Sequence, residues 1–404
     1  MRRGVLAVVL VGAAVIPSRA VSQQARHCTG PHCRMHGSIL WTARLSGSWL
    51  AESGVTGTVP GFGAAYAAAG GGLAVLGSGL EVTGYQLRTG AKAWQTTLTG
   101  MPDGSAITSV RAFAGVVAVG VQLPQGQPQA RYEVILSAGT GRHIRTYPAA
   151  AYGGTIAADN ATAVIVGATA VTAYANATGR VRWSQPTGPA GQAWRVSGQY
   201  AYLAQVGGAA GVQAVRQINL RNGAVRVLRP TPGSVFPGAL SAVVDGVLLF
   251  SQAGGVVAYG SQAGAPLWKR DSSVLELTDP GLGVAYLASG NALDGVNVDS
   301  GAVVSKTGLS VAGGLYWVAG GVAVGLDENA LGAAWGYDLG SHRVLWTSAA
   351  LPWPHFFTDM SGLGGSMSVG STIVLLAICA KVGGNYVGAP GPACLRPELA
   401  AVLI

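Results

Sequence analysis

Charge is what this sequence has least of: Asp, Glu, Lys and Arg make up 10% of its 404 residues, and 16 of them are acidic. Long apolar runs are also missing. Beyond the N-terminus, Val, Ala and Leu gather in runs of five to eight, too short to cross a bilayer as helices, which need about 20 residues. No Lys/Arg run or basic patch interleaved with aromatics occurs, so the sequence offers no support for nucleic-acid binding. A G-x-S-x-G elbow, a P-loop and an H-E-x-x-H zinc motif are all absent. The glycines from Gly70 to Gly79 stand in a hairpin setting rather than between a strand and a helix, so they do not make a phosphate loop.

Glycine is what the chain has in excess, at 63 positions. Inside helices each would cost about 0.5–1 kcal/mol relative to Ala. Between short apolar runs glycine instead makes turns, and the composition predicts an all-β protein.

The N-terminus differs in kind. Met1-Arg2-Arg3, the uncharged apolar stretch Gly4 to Pro17 and the small residues Ser18 and Ala20 predict a secretory signal peptide over residues 1–20. An uncleaved membrane anchor is the alternative, although the stretch is short for a span. No Cys follows it closely, so a lipoprotein cleavage box is absent. The expected location is extracellular or at the cell surface. The formal net charge is +9; without Arg2, Arg3 and Arg19 the chain keeps 22 basic and 16 acidic groups, or +6. That excess suits a mild attraction to anionic cell-wall polymers or lipid headgroups.

The body of the chain repeats a phrase: "YQLRTGAKAWQ" at Tyr85, "YANATGRVRWSQ" at Tyr174, "YGSQAGAPLWKR" at Tyr259 and "YDLGSHRVLWTS" at Tyr337. The anchor glycine, or its replacement, falls at Gly90, Gly141, Gly179, Gly223, Gly264, Gly301 and Ser341, with spacings of 51, 38, 44, 41, 37 and 40 residues. A period near forty residues is a repeat architecture. Each repeat holds four short apolar segments separated by turn residues; in the fifth, Asp245-Gly246 and Ala263-Gly264 stand where hairpins must reverse. Four antiparallel strands per repeat is the plan of a β-propeller blade. Thr89-Gly90 would make the turn between third and fourth strands, and Trp94 would lie on the outermost strand, against its own blade and the next. Trp183, Trp268 and Trp346 occupy the same slot, which holds Arg145, Val227 and Ser305 in the other repeats.

Both termini contribute a further blade. "PELAAVLI" at Pro397 to Ile404 reads as a third strand cut off before its turn, and "GSILWTARL" at Gly37 to Leu45 as a fourth strand with Trp41 in the Trp slot. Joining them predicts an eight-bladed β-propeller over residues 37–404, its ring closed by the N-terminal strand, which removes exposed edges.

The motif Y/A-x-x-x-x-T-G-x-x-x-W resembles the pyrroloquinoline-quinone-type repeat. That repeat is found in eight-bladed quinoprotein alcohol dehydrogenases and in non-catalytic propellers, among them the outer-membrane assembly lipoprotein that scaffolds β-barrel insertion. The resemblance covers nearly all of the mature chain, and its Thr, Gly and Trp are structural. The dehydrogenase branch implies an adjacent Cys-Cys pair and a Trp on opposite faces of the quinone, a calcium ion held by carboxylate and amide oxygens, and an Asp base. No adjacent Cys pair exists here. Asp299 and Asp338 stand at the turn position, where Asp caps a hairpin, and Asp327-Glu328-Asn329 reads as a hairpin loop. His143 and His342 also fall in turns. No cofactor, metal or catalytic residue is expected.

Cys28, Cys33, Cys379 and Cys394 in a secreted chain suggest two disulfides. Cys379 and Cys394 flank the loop between two predicted strands, and a bond closing about fifteen residues contributes on the order of 3 kcal/mol in the chain-entropy model. The expected pairs are Cys28 with Cys33 and Cys379 with Cys394. The rival for residues 21–36 is a zinc or copper site built from His27, Cys28, His32, Cys33 and His36.

Two long segments are candidate contact loops: Val121 to Arg131, and Leu351 to Met360 with Trp353, His355, Phe356 and Phe357. Burial of those rings between blades is the alternative. The chain is expected to act as a monomeric, non-catalytic binding or scaffolding propeller for a protein or cell-envelope polymer; a quinone- and calcium-dependent dehydrogenase is the second reading.

Overall fold

A computed structural model describes the chain from Ile39 to Leu403, except for residues 45–48, 51–64, 71, 125–130, 150–153, 168, 188–193, 207–210, 290–291, 308–314, 320, 328–332, 348–372, 380–381, 386–391 and 395–396. All regular structure among the described residues is β, and every strand pair between named strands is antiparallel. Seven four-stranded sheets follow one another along the chain, at residues 65–97, 106–149, 154–186, 194–228, 239–271, 274–307 and 315–347. They are blades one to seven of a β-propeller. In each, consecutive strands pair in chain order. First strands of successive blades lie against one another, as in blades one and two or six and seven, which makes them the inner strands.

Local sequence explains the strands. The second strand of blade two, Val116–Gln122, is apolar and buried along nearly its whole length because adjacent blades cover both of its faces. The fourth strand of blade three, Val181–Pro186, alternates exposed and half-buried residues because one of its edges meets solvent. Hairpins carry the expected backbone: Asp245 and Gly246 have φ of 49° and 84°, linking Val244 directly to Val247. Positive φ at both central positions matches the right-handed twist of the strands they join.

There is no single central core. Apolar layers sit between adjacent blades instead. Val75 and Val82 of blade one pack with Val110 and Val119 of blade two. Ala118 and Ile135 of blade two meet Ala163 and Ile165 of blade three, and the same arrangement continues through blade seven.

Both termini meet in one further sheet. Ile39–Arg44 pairs with Pro397–Leu403, which pairs with Ile373–Cys379. The two predicted strands are therefore neighbours, as third and fourth strands of a blade should be. Farther along, Trp49–Leu50 pairs with Pro392–Cys394, and that strand with Val382–Asn385. The register sets Cys379 opposite Pro397 and Cys394 opposite Val382. It sets Ile39 opposite Val402, at the other end of the hairpin from Cys394.

Candidate functional site

The repeat tryptophans form a series of joints. Each ring lies across from a small residue in its own third strand: Gly84 for Trp94, Ala173 for Trp183, Ala258 for Trp268 and Gly336 for Trp346. The ring then reaches the next blade. Trp41 Nε1 donates to the Leu87 carbonyl at 2.6 Å, Trp94 Nε1 to that of Ala138 at 2.6 Å, and Trp268 Nε1 to that of Val298 at 2.7 Å. In all three the acceptor stands three residues before the anchor glycine, and that glycine lies under the ring. A Cβ on Gly90 would come within 2.4 Å of Trp41, and one on Gly141 within 2.4 Å of Trp94. Trp183 packs on Gly223 in the same way, but its N–H has no partner among the described residues. In the degenerate joint of blade two, Arg145 replaces the ring and donates to the Ala177 carbonyl beside Gly179. Trp41 also stacks on Tyr85, with centroids 5.7 Å apart. These contacts are architectural and lie on the outer side of the blades.

The inner side carries a polar cluster that the repeat pattern does not announce. Arg131 and Glu133 lie two apart on the third strand of blade two, so they share a face. Arg131 Nε donates to Glu133 Oε1 at 3.0 Å, and its Nη2 to the Ser109 hydroxyl at 2.5 Å. Gly120 leaves the space for this guanidinium. Glu133, 1% exposed, uses its other oxygen on blade three: Thr155 donates to Oε2 through its amide at 3.1 Å and its hydroxyl at 2.9 Å.

Arg111, on the inner strand of blade two, donates through Nη1 to the Thr155 carbonyl at 2.5 Å. Its guanidinium carbon stands 5.5 Å from the centre of the Trp194 ring, which belongs to the inner strand of blade four. The neighbouring Arg195 donates through Nε to the Ser241 carbonyl of blade five at 2.6 Å. Arg111 and Arg195 hold corresponding positions, two residues before the end of their strands' pairing with the second strand. Burial lowers both guanidinium pKa values from their ordinary level; for Arg111, Glu133 opposes the shift and Arg131 adds to it. Both stay cationic at neutral pH.

The cluster offers guanidinium donors and an indole face. It is poorly equipped for proton transfer, because its carboxylate already accepts from Arg131 and twice from Thr155. Breaking that arrangement should be costly. Glu133→Ala strands Arg131 in the interior, and we expect a loss of about 3–5 kcal/mol in urea unfolding. A loss below roughly 1 kcal/mol would show that water reaches the pair.

Sequence reading missed Arg111, Glu133 and Arg195, and met Arg131 only as the end of a loop. A usable signal was present: in a chain this poor in charge, "SVRAF" and "RYEVIL" put charged residues inside apolar strands. Of the residues singled out from sequence, Cys28, Cys33, His27, His32, His36, Trp353, His355, Phe356 and Phe357 lie outside the described residues, as do 125–130 of the first candidate loop. Glu328 and Asn329 lie outside them too. Asp338 caps the turn of blade seven by accepting from the Gly340 and Ser341 amides. In blade six the cap is Asn297 rather than Asp299, accepting from the Asp299 and Ser300 amides. Among the described residues no group of three or more His, Cys, Asp and Glu is placed to hold a metal ion.

Residues 34–185 match the protein family described as outer membrane protein assembly factor BamB. That stretch is less than half of the chain and takes in the repeats anchored at Gly90, Gly141 and Gly179. Solved structures resemble the chain at low identity. The quinohemoprotein alcohol dehydrogenase of Comamonas testosteroni is 11% identical, with 90% of this chain and 76% of that one covered and a TM-score of 0.50. BamB of Moraxella catarrhalis is 15% identical, with 72% and 97% covered and a TM-score of 0.43. No curated protein matches the chain.

Proposed function

We propose that this PQQ-like propeller is a non-catalytic binding module of the cell envelope, a ring of eight blades that presents its loops and inner cluster to a partner. The observation that carries this is the state of Glu133. The cluster's carboxylate is fully engaged in joining blades two and three, and the partly exposed groups beside it, Arg111 and Trp194, are a guanidinium and an indole, which recognise rather than transfer protons. The match to an assembly-factor family over residues 34–185 agrees in kind. In the proposed ring the terminal sheet is the eighth blade. The proposed disulfides are Cys28–Cys33 and Cys379–Cys394, and Trp353, His355, Phe356 and Phe357 are the proposed contact loop.

The rival is a quinone-dependent dehydrogenase. Adding pyrroloquinoline quinone and calcium to the purified chain should give neither a bound quinone spectrum nor alcohol-dependent reduction of a dye acceptor. Turnover that depends on both additions would overturn the non-catalytic reading.

A further inference from the structure

The basic residues look scattered in the sequence, yet the fold collects many of them. In a four-stranded antiparallel blade, the links between first and second strands and between third and fourth leave from one end. The tryptophan joints, each near the start of a fourth strand and resting on the next blade's turn, set that end on the same side in neighbouring blades. At this end blade one exposes Arg88 and Lys92, blade two Arg142, blade three Arg180 and Arg182, and blade four Arg221 and Arg226. None of them is in an ion pair among the described residues. In the turns of blades one to four the acidic residue among the described residues is Asp159, and its Oδ1 is occupied by the Ala161 and Thr162 amides. The matching turns of blades five to seven carry Asp245, Asp279, Asp299 and Asp338, so the basic rim is confined to blades one to four.

Two further observations point to the kind of partner. Val181 and Val227, on the fourth strands of blades three and four, are 57% and 44% exposed among these arginines. A soluble polyanion gains nothing from such side chains, whereas the headgroup boundary of a bilayer accepts them. The N-terminal strand enters the fold at the same end: Trp41, three residues into the described chain, rests on the blade-one turn beside Arg88. Residues 21–38, which lie upstream of that point and beyond the expected signal peptide, carry Arg26 and Arg34 and no acidic residue.

We propose that this arginine rim docks the propeller on an anionic lipid surface, with the turn end facing the membrane. Docking of this kind is independent of whether the ring is catalytic, so its failure would leave the binding-module reading untouched. Each basic residue near an anionic leaflet contributes about fivefold to partitioning, equivalent to ~1 kcal/mol.

The test is sedimentation of the full chain with phosphatidylcholine vesicles, with and without phosphatidylglycerol. The variant R88Q/R142Q/R180Q/R221Q should lose at least about a hundredfold of the anionic-lipid enhancement. The variant R44Q/K269Q/K306Q removes three charges from exposed positions farther from these turns and should keep that enhancement within a few-fold. Equal loss in both would mean that only net charge matters and would overturn the proposal. So would binding to neutral vesicles as strong as to anionic ones, which would assign attachment to the apolar N-terminus. Rim-dependent binding of dextran sulfate without vesicle binding would assign the rim to a soluble polymer, with the same consequence.

Discussion

Deleting residues 37–45 should leave a chain with no cooperative unfolding transition at 25 °C. Ile39–Arg44 is the outer strand on Pro397–Leu403, and its loss bares the edge beside Ala400, Ala401 and Val402, all buried in the intact chain. The same deletion removes Trp41, which is 9% exposed, donates to the Leu87 carbonyl and stacks on Tyr85 of blade one. A buried Trp→Ala change alone costs about 3–5 kcal/mol. Losing a whole strand with it approaches the roughly 5–15 kcal/mol that hold a typical domain folded, and an uncovered apolar edge invites aggregation. Circular dichroism melts and size-exclusion chromatography would read the result. A monomeric deletion variant melting within a few degrees of the intact chain would show that the termini do not fasten the structure.

The second large effect belongs to the joint between blades one and two. Gly141 has φ of 68° and sits under Trp94. Gly141→Ala adds a methyl in a backbone region that costs other residues about 1–2 kcal/mol, and drives it into the ring at a further cost of about 1–3 kcal/mol. Trp94→Ala should cost about 3–5 kcal/mol, since it empties a buried site and abandons the bond to Ala138. The double variant should cost about 1–3 kcal/mol less than the sum of the two, because the ring that obstructs the methyl has gone. Urea unfolding of the four proteins measures this coupling. Strict additivity would mean that Gly141 is required for its backbone conformation alone.

Much of this was written in local sequence. Gly and Asp-Gly pairs between short apolar runs define hairpins because few residues accept positive φ there. The forty-residue period defines the blade because four strands and their turns consume about that length. Even the joint between blades was visible as a fixed spacing from turn glycine to tryptophan. What the spacing could not show is that this glycine serves the tryptophan of the preceding blade rather than its own. Trp94 rests on Gly141, not on Gly90. The two partners lie in different repeats, and only the packing of sheets brings them together.

Side-chain constellations across blades are where tertiary structure decided. Arg131, Glu133 and Thr155 belong to two repeats, and Arg111 meets Trp194 across a gap of more than eighty residues, a relation that no motif records. The arginine rim is the clearest case. In the sequence its members are dispersed singly or in pairs, as expected of solvated turns, and dispersion argues against a charged binding surface. A repeat of four antiparallel strands, however, returns the chain to the same end of the molecule in every blade, so turn residues far apart in sequence become neighbours on one face. The sequence by itself determined the strands, the turns and the repeat, because these follow from backbone conformation and burial over a few residues. Which charges share a face, and which carboxylate is already engaged, followed only from how the blades stack.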